Sequence, residues 1–390
     1  MRHVDVGERR ARLAWRHRLA EPAADPVEAT RSMVALHSSD PVTVYLSVWA
    51  RVDGFDVGHL ESLLYDQRVL FRIYGMRRTL WVVDRHTLSL VDNSSTRRIG
   101  ATQVRRLVKV LEDAGVAEDG NAWLDHVIPR TMSVIRRHGE APARMITPEV
   151  PELAEKIVYT NKAGRVIGTT GLSTSTLTLM SLQSNIIRGR PMGTWISGQY
   201  RWAEMTDWLG DEIELIPVEE ASAQLMRMWL HTFGPGTEVD MRWWTGWTAA
   251  QVRRALGDVG AIEVELEDGI GYLLPDDLEP VESGGEWVAL LPSLDPTVMG
   301  WKERDWYLGD HQTTLFDRNG NAGPTIWVDG RVVGGWSQTR GGEVVYEILD
   351  DIGDSARSAV ARQAESLQDW LGEVTVTPRF RSPHDKALGG

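Results

Sequence analysis

The sequence contains no cysteine in 390 residues. This absence excludes disulfides, cysteine-ligated zinc and thiol nucleophiles, and nothing argues for an oxidising compartment. No apolar run approaches the roughly 18 residues needed to span a bilayer. The basic segment over residues 1–19 is interrupted by Asp5 and Glu8, and no apolar core of signal-peptide length follows it. We therefore predict a cytoplasmic protein.

Several catalytic signatures are also missing. The chain has no HExxH sequence, no clustered histidine and carboxylate spacing, no Walker-type phosphate loop and no GxSxG nucleophile elbow. We therefore expect neither a metal nor a cofactor. Proline-rich linkers and low-complexity tracts are absent as well, while 42% of the residues are hydrophobic. A chain of this length and composition predicts about two to four packed domains.

Positive charge is scarce overall but unevenly distributed. The net charge is -13, yet residues 1–210 contain 28 Lys and Arg against 23 Asp and Glu, which leaves 14 against 32 for residues 211–390. Arginine clusters such as RRARLAWRHR and TRRIGATQVRRLVK lie in the N-terminal half. Solvated helix faces would explain such clusters taken singly. Together they permit binding of nucleic acid, which the whole-chain charge would argue against.

The first hundred residues predict three short helices and a β-hairpin. Asp25 can cap a helix over about 26–37 that has Pro26 in its first turn, Pro41 starts a second helix, and residues 57–67 form a third. The segments VLFRIY and TLWVV predict two strands joined by a basic turn that contains glycine. Helices followed by a hairpin are typical of a winged helix, a helix-turn-helix variant that often binds DNA.

This pattern recurs in residues 121–208 and 220–280, which predicts three related units in series. From residue 283 the sequence becomes rich in predicted strands, with Asp329-Gly330 as a hairpin turn. A helix over about 354–372 and a terminal strand over 374–380 follow. The predicted fold class is α+β, and the predicted domain ranges are 1–105, 106–215, 216–282 and 283–390.

Four groups of motifs in register resemble a known family. They are ALHSSDP, LSVWARV and FRIYGMRRTLWVVD in the first unit, RGRPMGTW and QYRW closing the second, LHTFGP in the third, and LLPSLDPTVMGWKERDW with PTIWVDGRVVGGW in the last domain. Their order and spacing resemble the winged-helix DNA-binding-domain proteins that include the AlkZ-like bacterial DNA glycosylases. The resemblance covers nearly the whole chain.

The resemblance implies three tandem winged-helix units followed by a barrel-like C-terminal domain, arranged around a concave DNA-binding face. It also implies removal of bulky N7-alkylated or crosslinked purines, often as self-resistance to alkylating natural products. In the family's glycosylases the loop after the first helix carries Gln-X-Gln or Gln-X-Asp, which holds the attacking water. This sequence has His37-Ser38-Ser39 at that place.

Glycosidic hydrolysis needs a water on the face of the sugar opposite the leaving base. Neutral His37 could accept a proton from that water, and Ser39 could fix the orientation of the water molecule. Asp40 could support His37 or stabilise positive charge at the sugar. The alternative is turn chemistry, because Asp40-Pro41 is a good start for a helix, Ser39 could cap equally well, and a histidine at a helix C-terminus suits the helix dipole.

Four arginines are the predicted phosphate contacts. Arg77 and Arg78 lie in the predicted turn of the first hairpin, and Arg188 and Arg190 in that of the second. The predicted function is a monofunctional DNA glycosylase that acts, as a monomer, on double-stranded DNA carrying bulky N7-alkylated purines. The alternative is a non-catalytic winged-helix DNA-binding protein, either a regulator or a factor that shields adducted DNA.

Overall fold

A computed structural model describes residues 1–160, 165–267 and 269–390. In the first part of the chain, helices surround one small sheet. One-turn π-helical segments at Ser62–Asp66 and Asp92–Thr96 directly follow two of these helices. The elements are β1 (Arg2–His3), α1 (Val6–Arg16), α2 (Pro26–Ser32), β2 (Leu36–His37), α3 (Pro41–Trp49), α4 (Val57–Glu61), β3 (Leu70–Tyr74), β4 (Leu80–Asp84), α5 (Arg85–Val91) and α6 (Arg97–Asp113).

The helix predicted over 26–37 is wrong at its C-terminal end. Helix α2 begins as expected, with Asp25 accepting hydrogen bonds from the Val27 and Glu28 N–H groups, but it ends at Ser32. Val34 then takes a positive φ of 60°, which turns the chain out of the helix. Leu36 and His37 form a strand instead. His37 therefore does not lie at a helix C-terminus.

The second part contains a long helix, short helices and two hairpins. Its elements are α7 (Gly120–His138), β5 (Glu140–Pro142), α8 (Ala143–Glu149), β6 (Lys156–Thr160), β7 (Val166–Gly171), α9 (Leu172–Leu182), β8 (Ile186–Pro191), β9 (Tyr200–Glu204) and α10 (Met205–Leu209). The third part contains α11 (Val218–Phe233), α12 (Glu238–Thr245), α13 (Ala249–Asp258), β10 (Ile262–Leu266) and β11 (Gly269–Leu273).

Two of the small sheets share one strand order. In the first, β2 pairs antiparallel with β4 and β4 with β3; in the second, β5 pairs antiparallel with β9 and β9 with β8. In both sheets, a strand that precedes two helices in the chain pairs with the second strand of the hairpin that follows those helices. The third sheet differs, because β1 joins β10 in parallel and β10 pairs with β11. The start of the chain therefore belongs to the third sheet.

The last part is an antiparallel sheet with helices around it. Its elements are β12 (Val288–Leu291), α14 (Asp305–Leu308), α15 (Gln312–Leu315), β13 (Thr325–Val328), β14 (Arg331–Gln338), β15 (Val344–Ile348), α16 (Gly353–Leu371) and α17 (Pro383–Gly389). The sheet order follows the chain, β12-β13-β14-β15. The predicted turn is confirmed: Asp329 and Gly330 both have positive φ, as a two-residue hairpin loop requires.

The barrel-like closure expected for this part is wrong. The sheet is open, with β12 and β15 as its edge strands, and α16 packs against both of them. The terminal strand predicted over 374–380 is also absent. The Val376 N–H donates to the Gln338 side-chain oxygen at 2.7 Å instead of to a neighbouring strand.

The largest hydrophobic core joins the first, third and last parts of the chain with the β8–α10 end of the second, and Tyr45, Trp229, Trp301 and Trp327 are fully buried in it. The second part has smaller cores of its own, around Ile135 and Leu179 among others. In the described ranges, no helix is long and apolar enough to cross a membrane.

Candidate active site and nucleic-acid interface

His37 lies at the edge of the first sheet, where β2 ends. It pairs with Trp81 of β4, and the next N–H, that of Ser38, donates to the Leu80 carbonyl at 2.8 Å. The imidazole meets the Trp81 ring edge to face, with 4.9 Å between the ring centroids. A strand pairing and an aromatic contact therefore fix this side chain, which is 7% exposed.

The His37 ring is neutral at physiological pH. Burial, with a smaller contribution from the charge of Arg77, lowers its pKa to about 3. The Ser39 N–H donates a long hydrogen bond of 3.4 Å to Nδ1. A nitrogen that accepts a hydrogen bond carries no proton, so the neutral ring carries its proton on Nε2. Nε2–H is then the group that can hold a water or a substrate atom.

Ser39 is half-buried beside His37. Its hydroxyl oxygen accepts a 3.4 Å hydrogen bond from the Leu80 N–H, and the hydroxyl proton stays available to a further acceptor. The hydrogen bond from the Ser39 N–H to Nδ1 of His37 places the two residues in direct contact. The structure thus brings together the two groups that the sequence proposes for holding water.

Asp40 serves the architecture of the loop. One carboxylate oxygen caps α3 by accepting from the Val42 N–H at 3.3 Å, and the other accepts from the Arg379 N–H at 2.8 Å. Both hydrogen bonds go to backbone groups, and neither goes to His37. Burial raises the pKa of Asp40, and the hydrogen bonds from Arg379 and Val42 oppose that rise. Asp40 ties the loop to the C-terminal segment, as its cap interpretation predicts.

A stack of two guanidinium groups and an indole lies near His37. Arg77 lies over the Trp243 ring at 4.2 Å, and Arg304 lies over the same ring at 4.8 Å. Arg77 is exposed, and its positive φ of 56° places its side chain in the tight turn between β3 and β4. Neither Trp243 nor Arg304 is among the predicted site residues. Their contact joins residues far apart in the chain, which no local pattern signals.

A polar cleft opens on the other side of the same turn. The exposed Arg78 donates to the Gln103 side-chain oxygen of α6 at 2.9 Å. The cleft has a volume of about 310 Å³, and its polar lining consists of Arg78, Gln103, Arg106, Thr170, Thr174, Ser175 and Thr178. Two arginines and several hydroxyls are the donor types that contact nucleic-acid phosphates.

Arg188 and Arg190 lie in strand β8 and not in the turn where the sequence analysis placed them. Arg190 forms ion pairs with Asp66 at 2.8 Å and Glu61 at 3.4 Å. Arg188 is half-buried over several aromatic rings and donates to the Tyr74 hydroxyl at 3.1 Å. Both arginines therefore have protein partners. Within residues 1–160, 165–267 and 269–390, no group of three or more histidine and carboxylate side chains is placed to hold a metal ion.

Comparison with known proteins identifies this architecture. The fold is that of a bacterial DNA glycosylase: the solved structure of Streptomyces sahachiroi DNA glycosylase AlkZ superposes with a TM-score of 0.73 at 16% sequence identity, over 97% of this chain and 99% of that one. The chain belongs to the AlkZ-like DNA glycosylase family, because the family model described as "DNA glycosylase AlkZ-like" matches residues 30–370. A search of curated proteins gave no match. The protein is thus a DNA glycosylase, an enzyme of DNA repair, with DNA as its partner.

Proposed function

We propose that this glycosylase removes bulky N7-alkylated purines from double-stranded DNA, and that His37 and Ser39 position the attacking water. The observation that carries the proposal is the buried, neutral His37 ring in contact with Ser39. The sequence resemblance assigns the family's water-binding motif to these residues. An N7-alkylated purine bears positive charge, so it leaves as a neutral base without strong acid catalysis. The enzyme then needs a positioned water more than a proton donor.

The chemistry follows from the tautomer of His37. As the C1′–N9 bond breaks, its electron pair neutralises the purine and an oxocarbenium-like sugar forms. Nε2–H of His37 donates to the oxygen of the water, and the Ser39 hydroxyl oxygen can accept a proton of that water in a hydrogen bond. The water forms the new C1′–O bond, and its extra proton passes to solvent. His37 is therefore a positioning group for water rather than a general base, which suits a ring with a pKa of about 3.

Incubation of the purified protein with duplexes that carry a bulky N7-alkylguanine tests the substrate. We expect release of the free adducted base, measured by mass spectrometry, together with alkali-labile abasic sites in equal amount. A duplex with unmodified guanine is the matched control. Tight binding of the adducted duplex without base release would contradict the proposal and favour a shielding role.

The arginines of the first hairpin turn are the proposed phosphate contacts. Arg78→Ala is expected to weaken DNA binding about equally for all sequences and to lower the slope of log affinity against log salt by roughly 0.9, because one phosphate contact releases about one condensed counterion. Fluorescence anisotropy across a salt series measures the slope. Arg340→Ala, an exposed arginine of the C-terminal part, is the control.

The same salt series tests the second hairpin. Arg188 and Arg190 are the predicted DNA contacts of this hairpin, and Arg190→Ala lowers the slope only if DNA displaces Glu61 and Asp66 from that side chain. An unchanged slope for Arg78→Ala would show that the first hairpin turn does not contact DNA phosphates.

We further propose that the three small sheets with their helices are winged-helix units bounded at residues 105, 215 and 282, and that the enzyme works as a monomer.

A further inference from the structure

Arg72 of β3 is a buried guanidinium without a carboxylate partner. It is 2% exposed, and none of its three nitrogens forms a well-aligned hydrogen bond with the residues that the structure describes; its contact with the Tyr200 hydroxyl is a weak one. Two other buried arginines are paired with carboxylates: Arg51 binds Asp295 in a two-pronged ion pair, and Arg12 binds Glu8 and Asp277. A guanidinium stays charged in proteins, so burial without a counter-charge is costly.

Tyrosine hydroxyls surround this guanidinium. Tyr45, Tyr65 and Tyr200 come from three different elements, and each hydroxyl is buried; those of Tyr45 and Tyr65 have no hydrogen bond to the described residues. All three interact electrostatically with Arg72, whose guanidinium lies over the Tyr200 ring at 4.8 Å and makes only a weak contact with its hydroxyl. We refer to Arg72, Tyr45, Tyr65 and Tyr200 as the Arg72 cluster.

Arg188 connects the Arg72 cluster to the surface. This half-buried guanidinium lies over the Tyr200 ring at 5.2 Å, and its Nε is also buried without a hydrogen bond. The nearest carboxylates do not neutralise the cluster, because Glu61 pairs with Arg190 and Asp40 accepts from backbone N–H groups. Arg188 and the Arg72 cluster therefore bring two positive charges close together, with several buried donors that lack a well-aligned acceptor.

The Arg72 cluster lies on the opposite face of the first sheet from His37. Arg72 pairs with Val82 and Leu36 across the sheet, whereas His37 belongs to the next row, with Trp81. Neighbouring rows point to opposite faces. The cluster is therefore separate from the proposed water site, and it does not depend on which lesion the enzyme removes.

We propose that the Arg72 cluster binds a phosphate group. Five guanidinium N–H donors from Arg72, the Arg188 Nε–H and three phenol hydroxyls match the several acceptor oxygens and the negative charge of a phosphate. Burial raises the pKa of Tyr45 and of Tyr200, so both phenols stay protonated and able to donate. The phosphate belongs either to free inorganic phosphate or to a DNA backbone that reaches the cluster past Arg188.

Isothermal titration calorimetry of the full-length protein with inorganic phosphate tests the first source. We expect one phosphate per chain, and Arg72→Met should weaken this binding at least tenfold. Arg340→Met, which removes an exposed arginine elsewhere, should leave it unchanged. Tyr65→Phe keeps the guanidinium and deletes one hydroxyl, and should weaken binding severalfold, which keeps the test decisive if Arg72→Met fails to fold.

DNA binding across a salt series tests the second source. If the backbone supplies the phosphate, inorganic phosphate alone binds weakly, and Arg72→Met lowers the slope of log affinity against log salt by about 0.9. Phosphate binding that persists in Arg72→Met would overturn the proposal. So would a wild-type protein that binds no phosphate and has the same salt slope as Arg72→Met, because the cluster would then be satisfied by water alone.

Discussion

Replacement of His37 by alanine is expected to lower the rate of base release by about 100-fold. The loss of one preorganised hydrogen-bonding group at a reacting atom typically costs this much. Single-turnover release of an N7-alkylguanine, with the enzyme in saturating excess over the duplex, measures the chemical step alone. His59→Ala, which removes an exposed histidine of α4, is the matched control and should keep the wild-type rate.

His37→Gln separates the two roles that the imidazole could have. A glutamine amide can donate a hydrogen bond to water but cannot take up a proton, so a positioning role predicts that this variant recovers most of the activity lost in His37→Ala. A general base predicts that both variants are equally slow. Because His37 is buried, each variant needs a thermal unfolding curve to show that it is folded before its rate is interpreted.

The pH dependence gives an independent check on His37. Its pKa of about 3 keeps the ring neutral through the working range, so the rate should not fall between pH 8 and pH 5. A solvated histidine with its ordinary pKa near 6.5 would lose function over that interval. A wild-type rate for His37→Ala at every pH would reduce the His37–Asp40 loop to an architectural element.

The sequence predicts the hairpins of this protein better than it predicts the ends of its helices. The segments VLFRIY and TLWVV are confirmed as β3 and β4, because β-branched and aromatic residues flank an obvious turn. The helix predicted to run through His37 fails, because β2 exists only through pairing with β4, much later in the chain. Propensity in a short window cannot report a partner that distant.

The candidate site is likewise predictable only where its residues are neighbours in the sequence. Local residues identify His37, Ser39 and Asp40, since all three belong to one short loop. Trp243 and Arg304 complete the surroundings of Arg77 from other parts of the fold, and their sequence neighbourhoods contain no signal of that contact. Arg72 could have attracted notice as a lone charge between Phe71 and Ile73 in a strand that is otherwise apolar up to Tyr74.

Replacement of Asp295 by asparagine is expected to destabilise the protein by about 3–5 kcal/mol, because it leaves the charge of Arg51 buried and uncompensated. Both side chains are fully buried, and their guanidinium and carboxylate groups form two hydrogen bonds of 2.8 and 2.9 Å. Ser47 and Thr297 complete the network. Urea unfolding measures the loss, and Asp310→Asn at an exposed aspartate should stay within about 0.5 kcal/mol of wild type.

The acid dependence of stability distinguishes this ion pair from the buried histidines. Burial opposes ionisation of Asp295, but the charge and hydrogen bonds of Arg51 outweigh it and hold the pKa below the ordinary 3.8. Its stabilisation is therefore present above about pH 4 and is lost as the pH falls through the folded pKa. Burial lowers the pKa of His17 to about 3, so the unfolded chain gains a proton first and stability already falls below about pH 6.5.

The free energy of unfolding of Asp295→Asn should consequently still fall between pH 6.5 and pH 4, as it does in the wild type. The further decrease below pH 4, which comes from protonation of the Asp295 carboxylate, should be absent from this variant. A double variant, Arg51→Leu with Asp295→Leu, should recover stability relative to Asp295→Asn, since it removes both buried charges. Recovery would show that the cost comes from the unpaired guanidinium. Arg51 follows the C-terminus of α3, and Asp40 caps its N-terminus, so the ion pair anchors the helix that follows the His37–Asp40 loop. A single variant that folds should therefore also release base more slowly, although Asp295 lies outside that loop.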